Sequence, residues 1–293
     1  MILAVCLNPA VDVTYTVDRV VPGESHRVRE VVERAGGKGV NVARVVSALG
    51  ESVTVCGLLG DADSALWTGL DARWTTVPGR VRRSVAVVDR DDATLFNEPG
   101  IDVSGGDWAR FVRDFVELVG AAAVVVASGS LPPGVPPTAY EQLTRVARAA
   151  GAEVIVDAGG LALRHALTAA PTIVKPNRHE VEAALGEGEG VTGLLTAGAQ
   201  SAVVSRGRDG LLAGRDGRRW AVRPSRPVAG NPTGAGDALA AALAIGLLRG
   251  TPWPEALRHG AAAAAAAVTA PTAGLVDPAA VAAQLAGIDV EEI

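Results

Sequence analysis

The 293-residue sequence predicts an α/β fold: a mostly parallel sheet covered by helices on both faces, with a small second sheet projecting from it. Three observations carry the prediction. Short runs of Val, Ile, Leu and Ala recur without polar interruption, as strands buried on both faces require. Longer helical stretches separate these runs, the alternation that builds a parallel sheet. Two segments depart from this texture and alternate apolar with polar residues, the pattern of strands with one wet face.

In chain order, residues 2–7 read as a buried strand ending at Asn8-Pro9. The first alternating segment sets Val11, Val13, Tyr15 and Val17 against Asp12, Thr14, Thr16 and Asp18. It continues through Val28, Val31 and Val32 after the turn Val21-Pro22-Gly23-Glu24. The second covers 83–89 and 93–97 around the charged turn Arg90-Asp91-Asp92. Helix 39–49 stops at Gly50 before strand 53–58. Helix 107–119 leads to strand 122–127, helix 138–150 to strand 153–157, and helix 161–169 to strand 172–175. Helical segments 180–185 and 191–199 precede strand 202–205. Helix 238–248 is apolar on nearly every face, and the seven alanines at 261–267 predict a tightly packed helix, since Ala is the best helix former. Parallel sheets bind ligands beyond the carboxyl ends of their strands, which places Asn8, Gly57, Ser128, Asp157, Lys175 and Ser205 there.

Composition narrows the class. Hydrophobic residues make up 48% and aromatics 3%, so the core is Ala, Val and Leu. A net charge of −5 argues against general affinity for nucleic acid. No uninterrupted apolar run reaches the ~20 residues that span a bilayer, and no secretory signal pattern is visible. Cys6 and Cys56 lie in apolar runs, as buried free thiols of a reducing compartment do, and a cytoplasmic location is expected. His26, His165, His179 and His259 form no pair at metal-ligand spacing.

Three constellations carry chemistry. The run Asn231-Pro232-Thr233-Gly234-Ala235-Gly236-Asp237 leads into a helix. Glycines let backbone amides approach a ligand, and free amides at a helix start suit a phosphate. Asp237 reads either as the helix cap or as a general base beside a phosphate cradle; three small residues ahead of it favour the base. Ala35-Gly36-Gly37-Lys38-Gly39-Val40-Asn41 also precedes a helix, without the Walker A or dinucleotide form. Three glycines beside Lys38 and Asn41 suggest close approach to a polyhydroxyl ligand, with Asp12 as either a turn residue or a hydroxyl-binding carboxylate. In Lys175-Pro176-Asn177-Arg178-His179-Glu180, Asn177 and Glu180 fit a capping box and equally the orientation of water around Mg²⁺. Ser205-Arg206-Gly207-Arg208-Asp209-Gly210 is a hairpin signal, and Ser128-Gly129-Ser130-Leu131-Pro132-Pro133-Gly134 a rigid loop after a strand.

Taken with Leu7-Asn8-Pro9-Ala10-Val11-Asp12 and Phe96-Asn97-Glu98-Pro99-Gly100, these motifs resemble, in order and across the whole chain, the ribokinase-like (PfkB) family of carbohydrate kinases. The resemblance is to its phosphosugar branch, which contains 1-phosphofructokinase and tagatose-6-phosphate kinase. It implies a ribokinase-like three-layer α/β/α sandwich over residues 1–293, with a β lid formed by about 11–34 and 80–98. It further implies ATP as phosphoryl donor, Mg²⁺ as cofactor, a sugar phosphate as acceptor, and association of two copies through the lid. Gly234, Ala235, Gly236 and Asp237 would form the anion hole and catalytic base. Asp12, Gly37, Lys38, Asn41 and Ser130 would hold the acceptor, with Arg27 and Arg82 on its phosphate. Lys175, Asn177, Glu180, Ser205, Gly207, Gly210 and Thr233 would serve the nucleotide, with Mg²⁺ held through water near Asn177 and Glu180, and 259–274 walling the adenine. The lid run Gly79-Arg80-Val81-Arg82-Arg83-Ser84 departs from the branch at Val81 and Ser84, so Arg82 and Arg83 both stand as candidates for the phosphate. The segment 61–78 is shorter than in the branch. Asn231 replaces an Asp that helps ribokinase-type members bind a monovalent cation, so no K⁺ dependence is expected. A kinase of a non-phosphorylated sugar or nucleoside is the alternative on the same fold. A nicotinamide-dependent oxidoreductase fits less well, because the glycine motifs come late and lack an acidic ribose partner.

Overall fold

The computed structural model describes residues 1–67, 69–89 and 93–293, with 63–65 in backbone only; the turn expected at Arg90-Asp91-Asp92 lies outside the described residues. The chain begins with β1 (Ile2–Cys6), β2 (Ala10–Thr16), β3 (Glu30–Gly36), α1 (Lys38–Ala48), β4 (Val53–Gly60), β5 (Ala72–Val77), β6 (Arg82–Val88) and β7 (Ala93–Asn97). Alternating units follow: α2 (Gly105–Val119), β8 (Val124–Ser128), α3 (Ala139–Ala149), β9 (Glu153–Asp157), α4 (Gly160–Leu167), β10 (Ile173–Val174), α5 (Arg178–Leu185), α6 (Val191–Thr196) and β11 (Ser201–Ser205). The chain closes with β12 (Leu211–Arg215), β13 (Arg218–Pro224), α7 (Ala235–Arg249), α8 (Trp253–Val268), α9 (Pro278–Leu285) and β14 (Ile288–Glu292).

Among the described residues the large sheet has ten strands in the order β14-β13-β12-β11-β10-β9-β8-β1-β4-β5. From β11 to β5 the pairings are parallel, and β12, β13 and β14 add an antiparallel edge. Each central strand feeds two cores. Ile2, Ala4 and Cys6 of β1 face the layer of α1, α7 and α8, while Leu3, Val5 and Leu7 face the layer of α2 to α6. Both faces of the strand are therefore apolar, which is why it reads as an unbroken run.

The alanine run lies within α8 and packs on α7. Small side chains let the two helix backbones come close: a Cβ added at Gly260 would stand 2.6 Å from Leu239 Cδ1. The hairpin expected at 205–210 is the β11–β12 turn. The strands β5, β13 and β14 carry no sequence signal of their own strong enough to predict them. Arg73, Arg218, Arg219, Asp289 and Glu291 break their apolar pattern: β5 and β14 are the two edges of the sheet, and β13 lies next to β14. β4 runs three residues past Gly57, which is therefore interior to a strand rather than at its carboxyl end.

The two alternating segments form a second sheet, in the order β3-β2-β6-β7. Its register aligns Arg34 with Asp12, Asp12 with Ser84, and Ser84 with Asn97. These four side chains lie on one face and line a cleft shared with the large sheet. On the other face Val11, Val13 and Ala35 are buried in the core.

Candidate active site

The cleft has a volume of about 1430 Å³, beyond the 300–1,000 Å³ range of ordinary small-ligand pockets, so it has room for two ligands side by side. Asn8, Asp157, Lys175 and Ser205 reach it from strand ends, as expected, but Gly57 and Ser128 do not line it. Ser128 is buried beneath the loop that delivers Gly129 and Ser130.

The turn before α1 needs its glycines for contact, not only for bending. A Cβ at Gly36 would lie 2.0 Å from Asp12 Oδ2, and one at Gly39 would lie 2.5 Å from the Val5 carbonyl. Gly37, at φ +98, caps the helix in the left-handed region. This close packing brings Asn41 between two carboxylates. Its Nδ2 donates to Asp12 Oδ2 at 3.3 Å and to Asp237 Oδ2 at 3.2 Å. Burial raises the pKa of Asp12 despite the opposing Asn41 amide, Gly37 N–H and neighbouring Arg82 and Arg44.

Asp237 stands in the first turn of α7, behind Gly234 in the left-handed conformation at φ +86. Gly234 backs onto the loop after α8, where an added Cβ would meet Ala273 Cα at 2.9 Å. Asn231, buried at 6% exposure, ties the turn to the same loop: its Nδ2 donates to the Pro271 carbonyl at 3.2 Å and its Oδ1 accepts from Thr233 N at 3.0 Å. The amides of Gly236 and Asp237 have no assigned acceptor among the described residues, but Ala235 N donates to the Pro232 carbonyl at 3.2 Å. The cradle is thus narrower than the expected set of Ala235, Gly236 and Asp237, because the turn that presents it uses one amide to close itself. The buried Thr233 hydroxyl at its mouth has no partner.

Lys175 spans the space between this helix start and Asp157. Its Nζ is 3.2 Å from Asp157 Oδ2, and a Cβ at Gly236 would be 3.3 Å from the same Nζ. Lys38 Nζ meets Asp157 Oδ1 at 3.2 Å and Glu180 Oε1 at 3.3 Å. Burial would raise the Asp157 pKa, but the two ammonium groups outweigh it and hold the carboxyl below its usual range. Burial likewise opposes the charge on Lys38, and Asp157, Glu180 and Asp237 reverse that and raise its pKa. Asp237 is different. Burial dominates and lifts its pKa to about 7, with Lys38, Lys175 and the Asn41 amide pulling down and Asp157 pushing up.

Asn177 and Glu180 form a complete capping box on α5: Asn177 Oδ1 accepts from Glu180 N and Glu180 Oε2 accepts from Asn177 N. Glu180 Oε1 remains toward Lys38, so the cap does not consume the carboxylate. Asp157 and Glu180 bring two carboxylates to the cleft, with Asp157 Oδ2 facing Lys175 Nζ and Oδ1 facing Lys38 Nζ. No group of three or more His, Cys, Asp or Glu is assembled among the described residues. One or two carboxylates, completed by water and phosphate oxygens, is the donor set Mg²⁺ takes in phosphoryl-transfer sites, and these residues fit it.

At the small sheet, Arg82 lines the cleft and donates to the carbonyls of Asn8 and Glu98, each at 3.4 Å. Arg83 points away and pairs with Glu33 at 3.0 Å, as the alternation of a strand dictates. Asn8 Nδ2 donates to Ser130 Oγ at 2.9 Å. Arg27 is exposed in the β2–β3 connection and does not line the cleft. Gly37, Lys38, Asn41, Ser130, Lys175, Asn177, Glu180, Ser205, Gly207, Gly210, Thr233 and the Gly234–Asp237 turn all do. Sequence reasoning missed the role of Asp157 as the joint between two lysines, and it missed Arg34 and Arg44. The one available signal was that Arg34 alternates in phase with Val32, opposite Glu33.

This arrangement joins a glycine turn beside Asp12 and Asn41, a buried carboxylate with a raised pKa and a helix start flanked by lysine. The fold and site define a carbohydrate kinase, a phosphotransferase with an alcohol acceptor. The chain matches the description "pfkB family carbohydrate kinase" over residues 2–280 and belongs to that family. It is 37% identical over 266 residues to a 1-phosphofructokinase of Xanthomonas campestris pv. campestris, covering 84% of each chain. It is 34% identical over 305 residues to 1-phosphofructokinase of Escherichia coli K12, covering 99% of this chain and 98% of that one. Its fold superposes with TM-score 0.91 on a crystal structure described as a possible 1-phosphofructokinase of Thermotoga maritima, at 25% identity and covering 100% and 99% of the two chains.

Proposed function

We propose that this protein transfers the γ-phosphoryl group of ATP to a primary hydroxyl of a phosphorylated ketohexose, with fructose 1-phosphate as acceptor and fructose 1,6-bisphosphate as product. The observation that carries this reading is the line Asp12–Asn41–Asp237: one amide fixes a hydroxyl-binding carboxylate and a second, proton-accepting carboxylate in a single cleft. Relatives at 34–37% identity bearing that activity support the acceptor class.

The acceptor lies between Asp12, Asn41 and the small sheet, its free hydroxyl toward Asp237. Asp237 takes the hydroxyl proton as the oxygen attacks. The amides of Gly236 and Asp237, with Lys175 beside them, stabilise charge on the transferring group, the dominant contribution in phosphoryl transfer. Mg²⁺, held near Asp157, Glu180 and Asn177, supplies charge neutralisation on the nucleotide phosphates when bound. Ala261, Ala264, Ala265 and Val268 of α8 line the cleft together with Gly207 and Leu211, an apolar lining that suits the flat adenine. Residues 1–293 act as one kinase domain in which the small sheet, about 11–34 and 80–98, is the lid, its exposed Val31 and Phe96 suiting contact with a second copy. The reaction is assigned to the cytoplasm.

Asp237→Asn tests the base. The amide keeps the shape and can still accept from Asn41, so ATP binding persists while turnover falls about 10²–10⁴-fold. Near-normal turnover in this variant refutes the assignment. Turnover of fructose 1-phosphate against fructose 6-phosphate, tagatose 6-phosphate, free fructose, ribose and adenosine decides the acceptor.

A further inference from the structure

Three guanidinium groups at the small-sheet end of the cleft rest on neutral acceptors. Arg34 Nη1 donates to Thr272 Oγ1 at 2.7 Å, Arg44 Nη1 to the Ala35 carbonyl, and Arg82 to the Asn8 and Glu98 carbonyls. Among the described residues none of the three has a carboxylate at ion-pair distance, whereas the outward Arg29 and Arg83 pair with Asp18 and Glu33. Asp12 is the carboxylate that Arg82 and Arg44 both act on. Arg44 has its pKa lowered by burial and then by the like charge of Arg34. Three cations facing one carboxylate, partly out of water, are unfavourable until an anion joins them.

The register says where that anion fits. Across the four strands the inward row is Arg34, Asp12, Ser84, Asn97: a cation at the edge, then a carboxylate, a hydroxyl and an amide. The next row outward is Val32, Thr14, Ala86 and Leu95, with no charge. The strands of Arg34 and Arg82 flank β2, about 10 Å apart at two strand spacings, so two long side chains can close on one phosphate above it.

We propose that Arg34 is an acceptor-specificity residue: its guanidinium leaves Thr272 to bind the phosphate already carried by the sugar, opposite Arg82, in the role the family resemblance implies for Arg27. A phosphate adds a full opposite charge and can take the guanidinium fork bidentately, neither of which the neutral Thr272 hydroxyl offers, so the exchange is favourable. The inference rests on the phosphosugar-kinase reading above.

The test is steady-state kinetics on the full chain with fructose 1-phosphate, free fructose and ATP. A charged hydrogen bond contributes about 1.5–3 kcal/mol, so Arg34→Gln raises KM for the sugar phosphate about ten- to hundredfold, with KM for ATP and kcat/KM for free fructose unchanged. Arg34→Lys recovers part of the loss, as a point charge without the fork. Thr272→Val removes the resting partner and leaves the sugar-phosphate KM unchanged or lower. An Arg34→Gln enzyme with unaltered sugar-phosphate KM, or with an equal loss toward free fructose or ATP, overturns the proposal. So does Thr272→Val reproducing the Arg34→Gln defect, which would make the pair a structural tie. Wild-type protein that turns over no sugar phosphate overturns the kinase reading itself, and this inference with it.

Discussion

The raised pKa of Asp237 makes the pH dependence of turnover a direct probe of the site. A base must be deprotonated to work, and kcat/KM reports the free enzyme. With a pKa of about 7, the deprotonated fraction is about ten-elevenths at pH 8 and about one-eleventh at pH 6. The expected fall in kcat/KM is thus about tenfold between those values, where an ordinary carboxylate would give none. The acceptor's own phosphate also titrates near ~6, so the assignment is made by variants. Lys38 lowers the Asp237 pKa, and Lys38→Met should move the acid limb to higher pH. Asp157 raises it, and Asp157→Asn should move the limb to lower pH. Both variants are read as profile shapes, since each also disturbs the ion pairs around Lys175 and lowers the absolute rate. Initial rates over pH 5.5–9 with ADP release as readout, and circular dichroism at each pH, suffice. A flat profile in folded wild-type enzyme, or limbs that move together in the two variants, would refute the electrostatic account.

Other outcomes follow from the packing. Gly234→Ala places a Cβ 2.9 Å from Ala273 Cα at φ +86, so stability should drop by about 1–3 kcal/mol and the melting temperature by several degrees, with ATP turnover falling too. A variant that melts and turns over like wild type would show that the turn relaxes freely. Cys6 and Cys56 are both 1% exposed, with thiol pKa values raised by burial, to about 11 for Cys6. A thiol reagent at neutral pH should therefore label neither in native protein and both after denaturation; fast native labelling would contradict their burial.

The alternation of strand and helix was legible because a parallel strand is apolar on both faces and the helices between the strands are longer and mix apolar with polar residues. The small sheet was legible for the opposite reason, since one wet face leaves a period-two trace in Val11–Thr16. Strands β13 and β14 were not, because at and beside the sheet edge arginines and acids interrupt the apolar pattern. Within the site, glycine spacing singled out the Gly36–Asn41 and Gly234–Asp237 turns, as backbone that must pack this closely excludes larger residues. At Asn177 and Glu180 local sequence supported two readings; the structure shows the capping box, made with one carboxylate oxygen of Glu180, while the other faces Lys38.

For the arginines, the sequence determined how many cations the small sheet carries but not which way each points. Arg82 and Arg83 are neighbours in the chain, yet one enters the cleft and the other pairs with Glu33 in solvent. Arg27 stays outside, and Arg34 takes the inward position through its register with Asp12. Composition and spacing were enough for the fold and for the two glycine turns, because both depend on backbone demands that local residues state. The joining of Asp12, Asn41 and Asp237, across 225 positions of sequence, and the joint of Lys38 and Lys175 on Asp157 were decided only by tertiary structure. Electrostatics and register act between residues that are distant in the chain, and only the folded sheet sets those distances.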